Sequence, residues 1–455
     1  MRSAPSLAVA VRRTRLPLLV TAAIAILSPC RAQADAFPDT IFFDGFEACG
    51  LRCAQVQCPD PGVTTSVSGT VFAPNGTLPL PNVEVYVPNA AVGALTNGPD
   101  GGRCDVAPLG HPIVATLTDA NGNFTLKNMP VGNDIPLVII AGKWRRQITV
   151  GSVPQCTDTL LAADDTRLPR THLEGDIPLT AVVTGNADSL ECLMRKTGVA
   201  DTEFGSNAGS ARIQLFAGNG ASSVDGGIAL ANATTLWASS ASLSAYDQVM
   251  LACEGAQQTA TQTQVAVNAM KTYADAGGRV YLAHWQNLWI AGQNGGGITG
   301  AWPAVATWNF NSANLDTFLT ASVNSTFPQG ATMTDWLYGT GASATWGSIT
   351  LDHPRQTAIT IDESLARKWI TQTASLNMPG VPYFSFTTPI EVTPAAQQGR
   401  IVFVDLHGTS ADSSTAGTSF PSSGCHSGVG TTTAQEKALL YATFDLQRCV
   451  GSTRE

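Results

Sequence analysis

The chain reads as a multidomain protein in which an antiparallel β-sandwich is followed by an α/β domain with a mainly parallel, doubly wound sheet. Three observations predict this. Residues 63–155 hold short strands with valine at alternate positions, separated by turn residues and with no helical period, which is the pattern of a sandwich. Beyond residue 175, apolar strands alternate with amphipathic helices, as in a sheet covered on both faces. Nine cysteines follow a basic and apolar N-terminal leader, and in an oxidising compartment such cysteines pair.

The leader comes first. Arg12, Arg13 and Arg15 precede an apolar run from Leu16 to Leu27, and Ala32-Gln33-Ala34 follows. This is the form of a secretory signal over residues 1–34, cleaved before Asp35. The run is too short to span a bilayer, and no transmembrane segment is expected in the mature chain. The protein is therefore expected to be exported, to the periplasm or the extracellular space. Removing 1–34 takes five of the 25 basic residues and no acid, leaving 20 against 34, a net of −14. That balance excludes nucleic acid as a partner, because phosphates demand clustered Lys and Arg. Residues 35–62 form a lead segment bearing Cys49, Cys53 and Cys58. With no histidine or second CxxC beside them, disulfides are the reading, and the odd total leaves one cysteine over.

From Thr65 the sandwich elements follow in order. Val67, Gly69 and Val71 alternate with polar residues, as do Val83, Val85 and Val87. Residues 89–112 are a Gly/Pro-rich excursion containing Cys104. Asn121-Gly122 then lies between two short strands, where a primed turn needs positive φ. Ile135 to Ala141 and Arg146 to Val150 are further strands. Lys143-Trp144-Arg145-Arg146 falls at their hairpin and reads as Arg stacked on Trp in a solvated turn. The segments Val67-Ser68-Gly69-Thr70-Val71, Leu80-Pro81-Asn82-Val83-Glu84-Val85, Thr118-Asp119 through Phe124, and Pro130-Val131-Gly132 together resemble a carboxypeptidase regulatory-like domain. The resemblance implies a transthyretin-like sandwich over 63–155 and an accessory role without catalysis.

Residues 156–174 read as a linker, and 175–450 as the α/β domain. Ile177 to Val183 is a strand, followed by a helix with Leu190, Leu193, Met194 and Thr197 on one face and Gly198 at its end. Ala211 to Phe216, Gln248 to Ala252 and Arg279 to Ala283 are strands. A helix with Ala266, Met270 and Tyr273 in register lies between the last two. Tyr383 to Phe386 and Arg400 to Asp405 are late strands, and Ala434 to Leu446 is a closing helix with Leu440 and Phe444 inward. Tyr246-Asp247-Gln248-Val249-Met250-Leu251, Tyr273 through Val280, and Gly399-Arg400-Ile401-Val402-Phe403 through Gly408 are similar to the class I glutamine-amidotransferase-like fold, in its ThuA-like branch. The two-part architecture also resembles a group of secreted bacterial proteins carrying a regulatory-like domain.

Ligands of open α/β sheets collect outside the carboxyl ends of the strands. The polar residues there are Asn186, Asp188, Cys253, Glu254, His284, Trp285, Asp405 and His407. Asp188 reads as a helix cap. Glu254, His284, Trp285, Asp405 and His407 are expected to line one crevice. Cys253-Glu254-Gly255-Ala256-Gln257 matches the amidotransferase C-x-G-x-Q pattern. The resemblance, however, implies a nucleophile after the fourth strand, where Ala283-His284-Trp285 stands, and an acid two residues after the histidine, whereas Asp405 precedes His407. Cys253 therefore reads as a disulfide or buried thiol. It, His284 and His407 are the catalytic candidates if any catalysis occurs. Glu254, His284, Asp405 and His407 are residue types that suit a divalent metal. Their spacing enforces none, and no metal or cofactor is assigned.

Six tryptophans (Trp285, Trp289, Trp302, Trp308, Trp336 and Trp346) fall in an insertion at about 284–346 rich in Gly, Asn and Thr. Exposed indoles suit sugar rings, while the alternative is a lid packing them into a satellite core. The leading expectation is an exported, non-catalytic or degenerate-enzyme binding protein for a small polar ligand, including a carbohydrate. The alternatives are a metal-dependent or His/Cys-assisted hydrolase, and a structural surface protein with no ligand.

Overall fold

Alternating valines build the first strands, and the hydrogen bonding sorts those strands into two sheets. The computed structural model describes residues 49–100, 102–310, 318–372, 379–408, 419–422, 425 and 432–451. The expected signal, residues 1–34, and the first half of the lead segment, residues 35–48, lie outside the described residues. Strands β1 (Ser66–Thr70), β2 (Glu84–Pro88), β3 (Pro112–Leu117), β4 (Asn123–Lys127), β5 (Gly132–Ala141), β6 (Trp144–Val153) and β7 (Asp158–Leu160) form sheets of order β4-β1-β7 and β3-β2-β5-β6. Val67, Phe124 and Leu126 from one sheet meet Val85, Leu137 and Ile139 from the other in a single core. Every pair is antiparallel except β1 with β7.

Two local readings are corrected. Asn121-Gly122 does not close a hairpin, because β3 and β4 belong to different sheets. Asp119 Oδ1 instead accepts the amides of Asn121 and Asn123 at 2.8 Å, and only Gly122 takes positive φ, +77°. Nor is the β5–β6 turn solvated. It inserts against the next sheet, where Lys143 Nζ donates to Gly98 O at 2.6 Å and pairs with Asp247 at 2.7 Å. Trp144 is buried there, 6.0 Å from the Phe444 ring.

The main sheet holds eleven strands: β8 (Thr180–Val183), β9 (Phe204–Ser206), β10 (Ile213–Ala217), β11 (Ala231–Asn232), β12 (Gln248–Leu251), β13 (Arg279–Ala283), β14 (Phe318–Val323), β15 (Ser348–Asp352), β16 (Ala366–Gln372), β17 (Gly380–Thr388) and β18 (Gly399–Val404). Its order is β11-β10-β8-β12-β13-β18-β17-β16-β14-β15, with β9 also on β10. Pairs from β11 to β18 are parallel, and those from β18 to β15 antiparallel. The sheet is therefore mixed: six of its pairs are parallel, and the four antiparallel ones form an edge that the expectation of a mainly parallel sheet did not include. Overall the protein is mostly β with few helices. The longer ones are α1 (Leu190–Lys196), α2 (Gln264–Asp275), α3 (Pro328–Gly339) and α4 (Ala434–Leu446).

Side-chain alternation along the parallel strands separates two cores. Val183, Val249, Leu251, Val280 and Leu282 pack with α2, whereas Val182, Met250, Tyr281 and Val402 pack with α1, α4 and the sandwich. The tryptophan insertion is largely core: Trp289, Trp302 and Trp336 are buried, and Trp346 is exposed. Disulfides join Cys49–Cys53, Cys58–Cys156, Cys104–Cys449 and Cys192–Cys425. Cys253 is left as a free, buried thiol. Among the described residues no helix is long and apolar enough to cross a membrane.

Candidate functional site

In the parallel half, β8 pairs β10 on one side and β12 on the other. The chain thus leaves β8 toward one flank and returns on the other, and the loops beyond these strand ends part there. The loops are held close by glycine. A Cβ on Gly185 would stand 2.2 Å from the carbonyl oxygen of Cys253, and one on Gly218 2.3 Å from that of Thr184. Gly185→Ala is therefore expected to force the loops after β8 and β12 apart, costing about 1–3 kcal/mol. A urea midpoint unchanged from the parent protein would contradict that packing.

Cys253 follows β12, His284 follows β13 and His407 lies three residues past β18. Their side chains meet. Cys253 Sγ is 3.3 Å from His284 Nδ1, and that nitrogen is 3.2 Å from His407 Nε2. One ligand atom from each lies within 4.8 Å of the other two. Cys253 and His284 are buried and His407 is half-buried. His284 has φ of +42°, a left-handed turn that swings its ring back over the sheet edge. Its Nε2 is buried without a hydrogen-bond partner.

The surroundings keep all three groups neutral. Burial pushes the Cys253 thiol up to about 12, against the backbone amides of Trp285 and Gly255. Burial, with the Arg355 guanidinium, holds His407 down to about 3. Burial, then His407 and Arg355, holds His284 well below the usual imidazole range. A thiol beside a ring nitrogen satisfies the geometry of a nucleophile–base pair. This sulfur, however, has no exposure and is held protonated, which opposes a catalytic thiol.

The other expected residues part company with this cluster. Glu254 turns the opposite way from Cys253 and meets Gln286 Nε2 at 3.4 Å and Gln262 Nε2 at 3.5 Å. Burial raises its carboxyl to about 7. Asp405 is consumed structurally. It accepts the Thr357 hydroxyl at 2.8 Å and the Ala358 amide at 3.1 Å, anchoring the segment before a short strand, Ala358–Ile361. Burial raises it to about 6 despite these donors. Neither carboxylate lines a shared crevice, which corrects the grouping expected from the sequence. Trp285 stays at the site, half-buried, its ring 4.8 Å from His284. Asn186 is exposed, its amide donating to Asn219 Oδ1 at 3.1 Å.

Asp188 does not cap α1 by its side chain; Ser189 is the N-cap. Asp188 Oδ1 accepts the Gly408 amide at 3.0 Å, tying the loop after β8 to the loop after β18, and burial raises its carboxyl to about 7. Its Oδ2 is buried without a partner. Arg355 was missed by sequence reasoning. It acts electrostatically on Cys253, His284 and His407, and its Nε is likewise buried and unpartnered. It sits between β15 and β16, far from any motif, and no local pattern signals it.

No family model matches the chain, and no curated protein matches it. Among solved structures it is similar to a ThuA-like protein from Bacteroides uniformis, at 9% identity over 61% of this chain and 91% of that one, with a TM-score of 0.29. A type II cohesin–X-dockerin complex from Acetivibrio cellulolyticus matches at 17% identity over 33% and 80%, TM-score 0.16. The dioxygenase domain of a dioxygenase carbohydrate-binding protein fusion from Streptomyces sp. SirexAA-E matches at 20% identity over 24% and 85%, TM-score 0.13. Overlaps this low carry no argument about function.

Proposed function

We propose that this is an exported binding protein whose site, built from Cys253, His284 and His407, holds a divalent metal ion of the zinc type. An accessory sandwich, expected at residues 63–155 and extended by β7 to Leu160 into the expected linker, precedes a doubly wound α/β module, residues 175–450, and the site lies at the ends of its parallel strands. The leader sequence and the four disulfides support export.

The observation that carries the reading is the spacing of the three ligand atoms. Zinc bonds of about 2.0–2.1 Å to nitrogen and 2.3 Å to sulfur put tetrahedral ligands about 3.4–3.6 Å apart. Here the two edges that meet at His284 Nδ1 are 3.3 and 3.2 Å, and all three atoms lie within 4.8 Å of one another, so Cys253 and His407 would close on a bound ion. Thiolate with imidazole favours zinc, cobalt and copper over calcium or magnesium. Three protein ligands leave a fourth position for water or a small anion, and the Arg355 charge favours the anion.

Cobalt(II) added to the full mature chain after chelation is expected to bind at one ion per chain and to show thiolate-to-cobalt absorption. Cys253→Ser should abolish that band, and His407→Ala should weaken binding while leaving the sulfur contact. A band that survives in Cys253→Ser, or no bound cobalt at all, overturns the reading. A carbohydrate ligand is the second reading, favoured by the half-buried Trp285 beside the imidazoles. An oligosaccharide screen in which Trp285→Ala loses every ligand of the parent protein would support it, and a screen with no ligand would remove it.

A further inference from the structure

The parallel strands have a second edge, opposite the cysteine and histidines, and a cavity of about 750 Å³ lies there between the sandwich and the main sheet. That is within the usual range of ligand pockets. One wall carries the half-buried Phe444, and behind it Trp336 and Trp369, each 1% exposed, pack around Tyr441 with ring centres 5.4 and 5.8 Å away. At the rim, Leu117 and Val392 are exposed apolar side chains.

The opposite wall is basic. Arg279 and Arg400 are register partners at the starts of β13 and β18, both buried. Neighbouring strands lie about 4.8 Å apart, so two guanidinium stems rise side by side from the sheet. Arg400 pairs with Asp445 at 2.8 Å, and Arg448 turns to the same carboxylate at 3.5 Å. One buried carboxylate thus serves two guanidinium groups. Six basic side chains line the cavity against four acidic ones, and of the six Arg103 is paired with Asp105 outside the lining, in a chain that is acidic overall.

We propose that this cavity binds a small aromatic acid. Its carboxylate lies against Arg448, beside the Arg400–Asp445 pair, and its ring against the half-buried Phe444 and the apolar rim. The ring contact selects the body, and a guanidinium that shares its carboxylate with a second one selects the charge. Asp445 remains the counter-ion of Arg400, so the ligand supplies the second carboxylate that Arg448 lacks. This site is independent of the metal reading, which concerns the other edge of the sheet.

The probe is 6-hydroxy-2-naphthoate, titrated into the mature chain by calorimetry beside 2-naphthol, which lacks the carboxylate. The acid is expected to bind at least about tenfold more tightly than the naphthol, as a charge-assisted pair implies. Arg448→Gln, at a partly exposed position, should bring the two within about threefold. Thr332→Trp, which fills the cavity from α3, should abolish binding of both. If that variant fails to fold, Val392→Trp at the rim replaces it. Cys253→Ser should bind the acid like the parent protein, which separates this site from the metal site. Equal affinity for acid and naphthol, binding that survives the tryptophan substitution, or no binding of either probe overturns the proposal.

Discussion

Glu436→Ala is expected to cost about 3–5 kcal/mol, a large share of the roughly 5–15 kcal/mol that holds a folded domain together. Glu436 Oε1 meets Lys196 Nζ at 2.7 Å, and both side chains are almost wholly removed from water. The pair joins α1 to α4 across one face of the parallel strands. Deleting the carboxylate removes the counter-charge that this buried ammonium meets at 2.7 Å, which costs more than the intact pair contributes. Glu436 also closes the capping box of α4: its Oε2 accepts the Thr433 amide at 2.8 Å, while Thr433 Oγ1 accepts the Glu436 amide at 3.1 Å. Losing the box adds about 1 kcal/mol. Glu436→Gln keeps an acceptor for Thr433 and removes only the charge. Lys196→Met combined with Glu436→Gln should therefore recover most of the stability lost by Glu436→Gln alone. Urea unfolding followed by circular dichroism measures all three. A Glu436→Ala midpoint within error of the parent protein would mean that the pair is solvated and the helix contact looser than described.

That helix was legible because its signals are local. The apolar run from Ala434 to Leu446, with Leu440 and Phe444 four apart on one face, needs no knowledge of the rest of the chain, and the Thr433–Glu436 capping box is a local signal that the sequence reading left unused. β13 was legible for the same reason: Gly277-Gly278 stops the preceding helix, and five buried residues follow. Of the antiparallel strands, β17 was read and β14, β15 and β16 were not. β14 has only Ala321 and Val323 buried, and its partners β15 and β16 lie far along the chain. So weak an alternation cannot be told from the surrounding Gly, Asn and Thr, and the pairing that makes it a strand is non-local.

The same division applies to the site. Strand ends were readable, and with them the loops that carry Cys253, His284 and His407. The direction of each side chain was not. Cys253 and Glu254 are adjacent, yet one points to the imidazoles and the other to Gln262 and Gln286. Asp405 and His407 are two apart, yet the first is taken by Thr357 and Ala358. Which neighbour faces the hollow depends on where the chain turns after the strand. The positive φ of His284 is a feature that no residue pattern announces, since residues other than glycine adopt it uncommonly even where histidine is enriched.

Zinc is expected to stabilise the folded chain by about 4.1 kcal/mol when its free concentration stands a thousandfold above the dissociation constant. The size follows from mass action, provided the unfolded chain binds little. Here the unfolded chain is a poor competitor. With the disulfides intact, Cys253 is the one free thiol among the described cysteines, and the folded chain alone brings it to within 3.3 Å of an imidazole. Removing an outer partner of a metal ligand costs ten- to a hundredfold in affinity, so losing a ligand should cost at least about a hundredfold. At the same zinc concentration His407→Ala would then retain no more than about 1.4 kcal/mol of the effect. Cys253→Ser, which loses the thiolate, should retain less, and Trp285→Phe should keep all of it. Denaturant unfolding with and without zinc, under non-reducing conditions, gives the four differences directly. Equal stabilisation of the parent chain and Cys253→Ser would place the ion elsewhere, and the sulfur–imidazole cluster would then be a buried hydrogen-bonded core.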